Sequence, residues 1–265
     1  MSVPIALTIA GSDSVAGAGI QADLKTFAAL GVYGASVLTA LTAQNTTGVS
    51  AIHHVPTEFV AAQMDAVFAD LDIAAVKIGM LGSAAAIATV EAGLRRHRAR
   101  NVVLDTVMAA SSGAKLLADD AIGGLRGLMA QARLVTPNLP EAAVLTGAMQ
   151  ARDEEEMYAQ AQKLIALGAG AVLIKGGHGS GPESVDILVE GGSRFPFAAP
   201  RIATRNTHGT GCTLAAAIAA GLAKNLSLVD AVRQAKAFVA GALEAADRLE
   251  IGSGHGPLHH FHKWW

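Results

Sequence analysis

Short, nearly unbroken apolar runs alternate along the chain with longer stretches whose apolar positions recur every three or four residues. The runs at 5–10, 34–41, 75–78, 102–105, 134–136, 171–175 and 185–189 predict strands. They lack an in–out alternation, which predicts a sheet covered on both faces. The longer stretches predict helices. Over 19–30, Ile20, Leu24 and Phe27 share one face. Thr57 is the expected N-cap of a helix whose face carries Val60, Met64, Val67, Phe68 and Leu71. Further helices are predicted over 83–98, 118–130, 154–167, 212–223 and 228–249. Acidic residues at 153–156 lie at the positive end of their helix, and Ser227 with Asp230 resembles a capping box. Strands alternating with helices of this length imply βαβ units around a parallel sheet, so the fold class is α/β. With no linker or repeat, 1–265 reads as one domain with a small edge flap.

Composition narrows the class. Hydrophobic residues make up 51% and charged residues 16%, much of the apolar content being Ala and Gly. That suits close helix-on-sheet packing. The net charge of −2 and the lack of a basic stripe argue against a nucleic-acid partner. The single cysteine, Cys212, cannot form an intrachain disulfide. The chain opens without a basic n-region, so its first apolar run reads as a strand and not a signal peptide. The charge-free stretch 211–223 is too short to span a bilayer. A soluble, cytoplasmic protein is expected.

In open parallel sheets, ligands bind beyond the carboxyl ends of the strands. The chemically unusual residues of this sequence fall there: Gly11-Ser12-Asp13, Gly79-Met80, Asp105, Asn138 with Glu141, and Lys175-Gly176-Gly177. The strongest local signal is Asn206-Thr207-His208-Gly209-Thr210-Gly211-Cys212-Thr213, which opens an Ala-rich helix. Free amides at a glycine-rich helix start bind anions; tight helix packing is the other reading. Cys212 is either a small buried side chain or a thiol made reactive by the helix N-terminus. Asp105 and Glu141 are candidates to share Mg²⁺ through waters, against the plainer reading of solvated strand-end acids. Lys175 is a candidate for a nucleotide phosphate, or a surface lysine at a turn. His208 reads as a ligand, an acid or a structural histidine. His259, His260 and His262 read as tail residues without a metal role, and Trp264 and Trp265 are expected to pack the chain end down. Gly17-Ala18-Gly19-Ile20-Gln21-Ala22 matches a dinucleotide fingerprint weakly. No acid lies between Asp23 and Glu58 to hold a ribose, which argues against a dehydrogenase. A Walker A loop is excluded because no Gly-Lys pair exists.

Together these motifs resemble the ribokinase-like superfamily, and within it the hydroxymethylpyrimidine/phosphomethylpyrimidine kinases. The resemblance rests on Ala10-Gly11-Ser12-Asp13-Ser14, on Gly17 through Thr26, and on Thr42-Ala43-Gln44-Asn45-Thr46. It continues through Lys77-Ile78-Gly79-Met80-Leu81, Asp105-Thr106-Val107-Met108, Thr136-Pro137-Asn138-Leu139-Pro140-Glu141 and the segment at 206–213. Even the tail from Gly254 fits, so the resemblance spans essentially the whole chain. It implies a three-layer αβα sandwich with a central, mostly parallel sheet. It also implies transfer of the ATP γ-phosphate to 4-amino-5-hydroxymethyl-2-methylpyrimidine, then to its monophosphate, in thiamine synthesis. By the same resemblance, Gln44 would read the aminopyrimidine edge, while Gly11, Ala18, Met80 and Val107 would wall the ring and Asp23 would contact its polar groups. Gly209, Gly211 and Cys212 would form the anion hole, with Cys212 as base or orienting group, and Thr210 would meet the nucleotide. Asp105, Asn138 and Glu141 would organise Mg²⁺ and phosphates, and Lys175 would meet the nucleotide. A homodimer is implied too. Two alternatives stay open: a pyridoxal or pyridoxine kinase on the same fold, and a non-catalytic pyrimidine-binding regulatory protein.

Overall fold

The computed structural model describes residues 3–109, 113, 116–118, 121–179 and 181–265. The first half runs β1 (Ile5–Asp13), α1 (Gly19–Ala29), β2 (Tyr33–Asn45), β3 (Gly48–His54), α2 (Thr57–Asp70), β4 (Ala75–Ile78), α3 (Ala84–Arg96) and β5 (Val102–Leu104). Then follow α4 (Ile122–Met129), β6 (Leu134–Val135), α5 (Leu139–Thr146), α6 (Glu154–Ala166) and β7 (Ala171–Ile174). The chain continues through β8 (Glu183–Glu190), β9 (Ser193–Pro200), α7 (Thr210–Ala223) and α8 (Leu228–Glu244). All nine strands join one sheet, in the order β3-β2-β1-β4-β5-β6-β7-β8-β9. The six from β2 to β7 are mutually parallel; β3 at one edge and β8 and β9 at the other pair antiparallel.

Alternate residues of each strand feed opposite layers, as a period of two requires. Leu7, Ile9, Val76, Ile78, Val102, Leu104 and Val172 pack with Met64 of α2, Ile87 of α3, Leu128 of α4, Leu145 of α5 and Leu164 of α6. Ala6, Ala75, Val103, Leu134 and Leu173 pack on the other face with Phe27 of α1, the apolar residues of α7 and Phe238 of α8. The result is the expected three-layer αβα sandwich. Residues 213–223 of α7 are all buried, because this helix is apolar all round and lies between the sheet and its neighbours. Its alanines let backbone approach backbone, as at Gly221, where an added Cβ would come within 2.9 Å of Ala231.

Several expectations needed correction. β1 runs past 10 to Asp13, because a bulge between Ala10 and Ser12 lets Ser12 and Asp13 pair with Leu41 and Thr42. β2 extends to Asn45 and turns back into β3, which has no continuous apolar run to announce it. β9 carries Pro196 and Pro200, which an edge strand tolerates and an inner one does not. Pro56, not Thr57, stands at the N-cap of α2, with no side-chain cap bond. The helix expected over 118–130 is seen as Ile122–Met129; residues 119 and 120 lie outside the described ones. The last long helix ends at Glu244 and continues only as a 3-10 turn, Ala246–Arg248. Ser227 caps α8 through its bond from the Asp230 amide, but Asp230 returns to the serine hydroxyl and not to the backbone. The reciprocal capping box belongs to Asn138 and Glu141, at the start of the unforeseen helix α5.

Candidate active site

A cavity of about 680 Å³ opens along the carboxyl ends of the parallel strands. Gly11 of β1, Gln44 of β2, Met80 after β4, Asp105 and Val107 after β5, Asn138 and Glu141 after β6 and Lys175 after β7 all line it. Ala18 comes in from the loop before α1, and Gly209 to Cys212 from the start of α7. Since β2, β1 and β4 are neighbours and β7 lies farther across the sheet, Gln44, Gly11 and Met80 mark one end and Lys175 the other.

The Gln44 end is built by Asp13. Its carboxylate accepts the amides of Val15, Gly17 and Ala18 at 3.0, 3.0 and 2.8 Å, and lies 2.8 Å from His208 Nε2. Burial works to raise its pKa, but the bonds from His208 and the Ala18 and Val15 amides outweigh that and hold it below the usual range. The carboxylate thereby fixes the loop at 14–18. Gln44 is held by its backbone to Ser14 Oγ, while its side-chain nitrogen lies 3.3 Å from His208 Nε2. Gln44 thus lines this end of the cavity together with Gly11, Ala18, Met80 and Val107.

At the centre, α7 points its N-terminus into the cavity. Gly209 is its N-cap, with φ of 84°. An added Cβ there would lie 1.9 Å from the Gly17 carbonyl oxygen, so glycine is demanded twice over. Among the described residues, the amides of Gly211 and Cys212 make no backbone hydrogen bond, and they carry the positive end of the helix dipole. A Cβ on Gly211 would sit 3.4 Å from Lys175 Nζ and 3.8 Å from Asp105 Oδ2. The turn therefore faces the Lys175–Asp105 ion pair, whose atoms are 2.8 Å apart. Asp105, Glu141 and Cys212 raise the Lys175 pKa against the cost of burial, so the lysine stays charged. Burial pushes the Cys212 thiol up to about 11, only partly countered by the charge of Lys77.

Glu141 Oε2 accepts the Asn138 amide at 2.9 Å and the Thr106 hydroxyl at 3.0 Å. Burial raises its pKa, with Lys175 opposing. Asp105 Oδ1 meets both Lys175 and Thr136. Each carboxylate thus keeps its second oxygen uncommitted among the described residues. Two such oxygens do not make a closed protein cage, but they suit Mg²⁺ held mainly by phosphate oxygens and water.

One expected residue lies elsewhere. Asp23 does not line the cavity; it is fully buried on α1, 2.6 Å from Thr8 Oγ1 and 2.8 Å from Lys77 Nζ. Helical spacing turns it inward toward β1 and β4, where it pairs with Lys77. Lys77 itself was missed as a site residue. A lysine in the strand Ala75-Val76-Lys77-Ile78 was the available signal, because a charge inside an apolar strand needs a partner. Asp23, Cys212 and Asp105 raise its pKa against burial and keep it protonated. Also missed was the part-buried Lys236–Asp186 pair at 2.7 Å, where Asp186 also accepts the Gly176 amide. Its members lie on α8 and β8, far apart in sequence.

The family model described as phosphomethylpyrimidine kinase matches residues 13–259. The chain is 60% identical over 262 residues to the hydroxymethylpyrimidine/phosphomethylpyrimidine kinase of Rhizobium meliloti (strain 1021), covering 98% of each. Among solved structures it is similar to the pyridoxal kinase of Bacillus subtilis in its ADP complex, with a TM-score of 0.90 and 35% identity over 98% of both chains. It is also similar to the phosphomethylpyrimidine kinase of Clostridium difficile 630, with a TM-score of 0.81 and 40% identity, covering 91% of this chain and 100% of that one. With the family model matching residues 13–259 and 60% identity to a near-full-length relative, the chain belongs to the phosphomethylpyrimidine kinase family.

Proposed function

We propose that this protein transfers the γ-phosphate of ATP to 4-amino-5-hydroxymethyl-2-methylpyrimidine and then phosphorylates the monophosphate, in thiamine synthesis. The observation that carries this reading is the convergence of Gln44, the free amides at 211 and 212, and Lys175 on one cavity. The near-full-length identity to the R. meliloti kinase supports the substrate. Gln44 hydrogen-bonds the aminopyrimidine edge, with the ring between Met80 and Val107. The hydroxymethyl group then lies beside Cys212. Burial pushes the Cys212 thiol up to about 11, which favours a thiol that orients the hydroxyl over a thiolate base. Transfer through a loose transition state asks mainly for positioning and charge stabilisation. The amides at 211 and 212 and Lys175 supply both. Asn138, Asp105 and Glu141 would hold Mg²⁺ together with the nucleotide phosphates, where the ion would neutralise phosphate charge. The protein acts as a cytoplasmic, single-domain homodimer in this reading.

ADP release with MgATP is the test, comparing the hydroxymethylpyrimidine, its monophosphate and pyridoxine. Turnover of both pyrimidines with little on pyridoxine is expected. Turnover of pyridoxine alone would overturn the substrate assignment, and silence with all three would overturn the reaction.

A further inference from the structure

The segment after α8 is bound to both ends of the acceptor half of the site. At one end, the Gly254 amide donates to Thr46 Oγ1 at 3.1 Å and the His255 amide to the Thr46 carbonyl at 2.9 Å. Thr46 stands two residues beyond Gln44. At the other end, the His208 amide donates to the Gly256 carbonyl at 3.0 Å, and the Gly256 amide to Asn206 Oδ1 at 3.1 Å. These contacts lie immediately before Gly209. The approach is too close for side chains: a Cβ on Gly254 would fall 2.1 Å from the Thr46 carbonyl oxygen, and one on Gly256 would fall 2.3 Å from Asn206 Oδ1. Asn206 is itself tied to Asp247, beyond α8, by its Nδ2 at 2.8 Å.

The same segment reaches the first turn of α7. His260 is buried, and its Nε2 lies 3.0 Å from the hydroxyl of Thr213, the residue after Cys212. Leu258 and His259 are buried as well, and the His259 amide bonds to Ala242 on α8. The histidines therefore serve packing, while Trp264 and Trp265 remain 70% and 71% exposed. The tryptophans were expected to pack the chain end down; the Trp265 ring does lie 4.5 Å from the His259 ring, but most of both indoles stays exposed.

We propose that residues 252–262 are a positioning clasp that ties the strand end carrying Gln44 to the anion-binding turn at 209–212, so that acceptor ring and transferring phosphoryl group are held in one frame. Rigid connection matters because a misplacement of about 1 Å costs on the order of 10²-fold in rate. The amides at 211 and 212 act on charge that develops in transfer, so loosening them lowers kcat more than it raises KM. The inference rests on the site assignment given above.

The test compares the native chain with Asn206→Ala, with a chain ending at Ser253, and with Asn206→Asp alone and combined with Asp247→Asn. Rates come from ADP release with MgATP and the hydroxymethylpyrimidine, folding from the thermal midpoint, and loop order from amide hydrogen exchange. Expected for Asn206→Ala and for the shortened chain is a fall in kcat of about tenfold to a hundredfold. KM should change by no more than a few-fold, and exchange should speed up at 44–47 and 205–212. Placing two carboxylates together in Asn206→Asp should impair turnover, and Asp247→Asn should restore it by restoring a donor. Native kcat in a folded Asn206→Ala variant, with unchanged exchange, would overturn the clasp whatever the shortened chain does. A rate loss that only follows the unfolded fraction would overturn it too. If the native protein turns over no pyrimidine, the site assignment fails instead, and local exchange at the two segments alone decides the clasp.

Discussion

Cys212 and Lys77 show how burial and charge set side-chain chemistry one residue at a time. The thiol sits on a helix N-terminus, a place that ordinarily lowers its pKa. Desolvation wins here and lifts it to about 11. Its thiolate fraction, and so its alkylation by iodoacetamide, should rise about tenfold per pH unit from 7 to 10 without a plateau. A plateau near pH 7 would mean that a thiolate is available to act as base. Lys77 borders the cavity and pairs with Asp23, both side chains fully buried. Lys77→Met should destabilise the protein by about 3–5 kcal/mol, because Asp23 is then left buried without its partner. Urea denaturation measures this, and adding Asp23→Leu should recover part of the loss.

Among the elements, α7 presents its N-terminus to the site. Its apolar surface fixes it between the sheet and α8, and its first turn can then present free amides only in one direction. Gly209 connects these two roles. Gly209→Ala would place a Cβ against the Gly17 carbonyl and force a left-handed φ on alanine, a strain of about 1–2 kcal/mol before any clash. The turn must shift, so kcat should fall on the order of 10²–10³, the loss typical of one missing anion-hole donor. Initial rates at saturating substrate, beside a thermal midpoint above the assay temperature, check this. The short helix α5 works in the opposite sense: its capping box uses one Glu141 oxygen structurally, while the residue also lines the cavity.

Taken as a whole molecule, the ligand cleft joins strand ends from β2 to β8, so a bound nucleotide braces distant parts of one sheet. Saturation with MgATP at about 100 times its Kd should add about 2.7 kcal/mol to unfolding. Chelation of the metal should remove most of that gain, and Glu141→Gln should make ATP stabilise equally with and without Mg²⁺. Thermal midpoints with ATP, with MgATP and with added chelator distinguish these outcomes. No helix among the described residues is long and apolar enough to cross a membrane, and the largest apolar faces are consumed between the three layers.

The residue pattern by itself determined the inner strands, the long helices and therefore the layered α/β class, because continuous burial leaves long apolar runs at fixed periods. It also marked Gly11, Met80, Asp105, Lys175 and the turn at 209–212, since a parallel sheet gathers its strand ends on one edge; Gln44 entered only through the family resemblance, because the apolar run of β2 stops at 41 while the strand continues to Asn45. Edge strands β3 and β9 left weaker traces, for half-exposed strands need little apolar surface. Only the tertiary structure decided the fate of Asp23, which helical spacing could have sent to substrate or core. Likewise, no local pattern links Lys77 to Asp23, Lys236 to Asp186 or the tail to Thr46 and Asn206. Such pairs exist because packing brings together groups that lie tens to hundreds of residues apart, and buried polar groups then select one another by charge and hydrogen bonding.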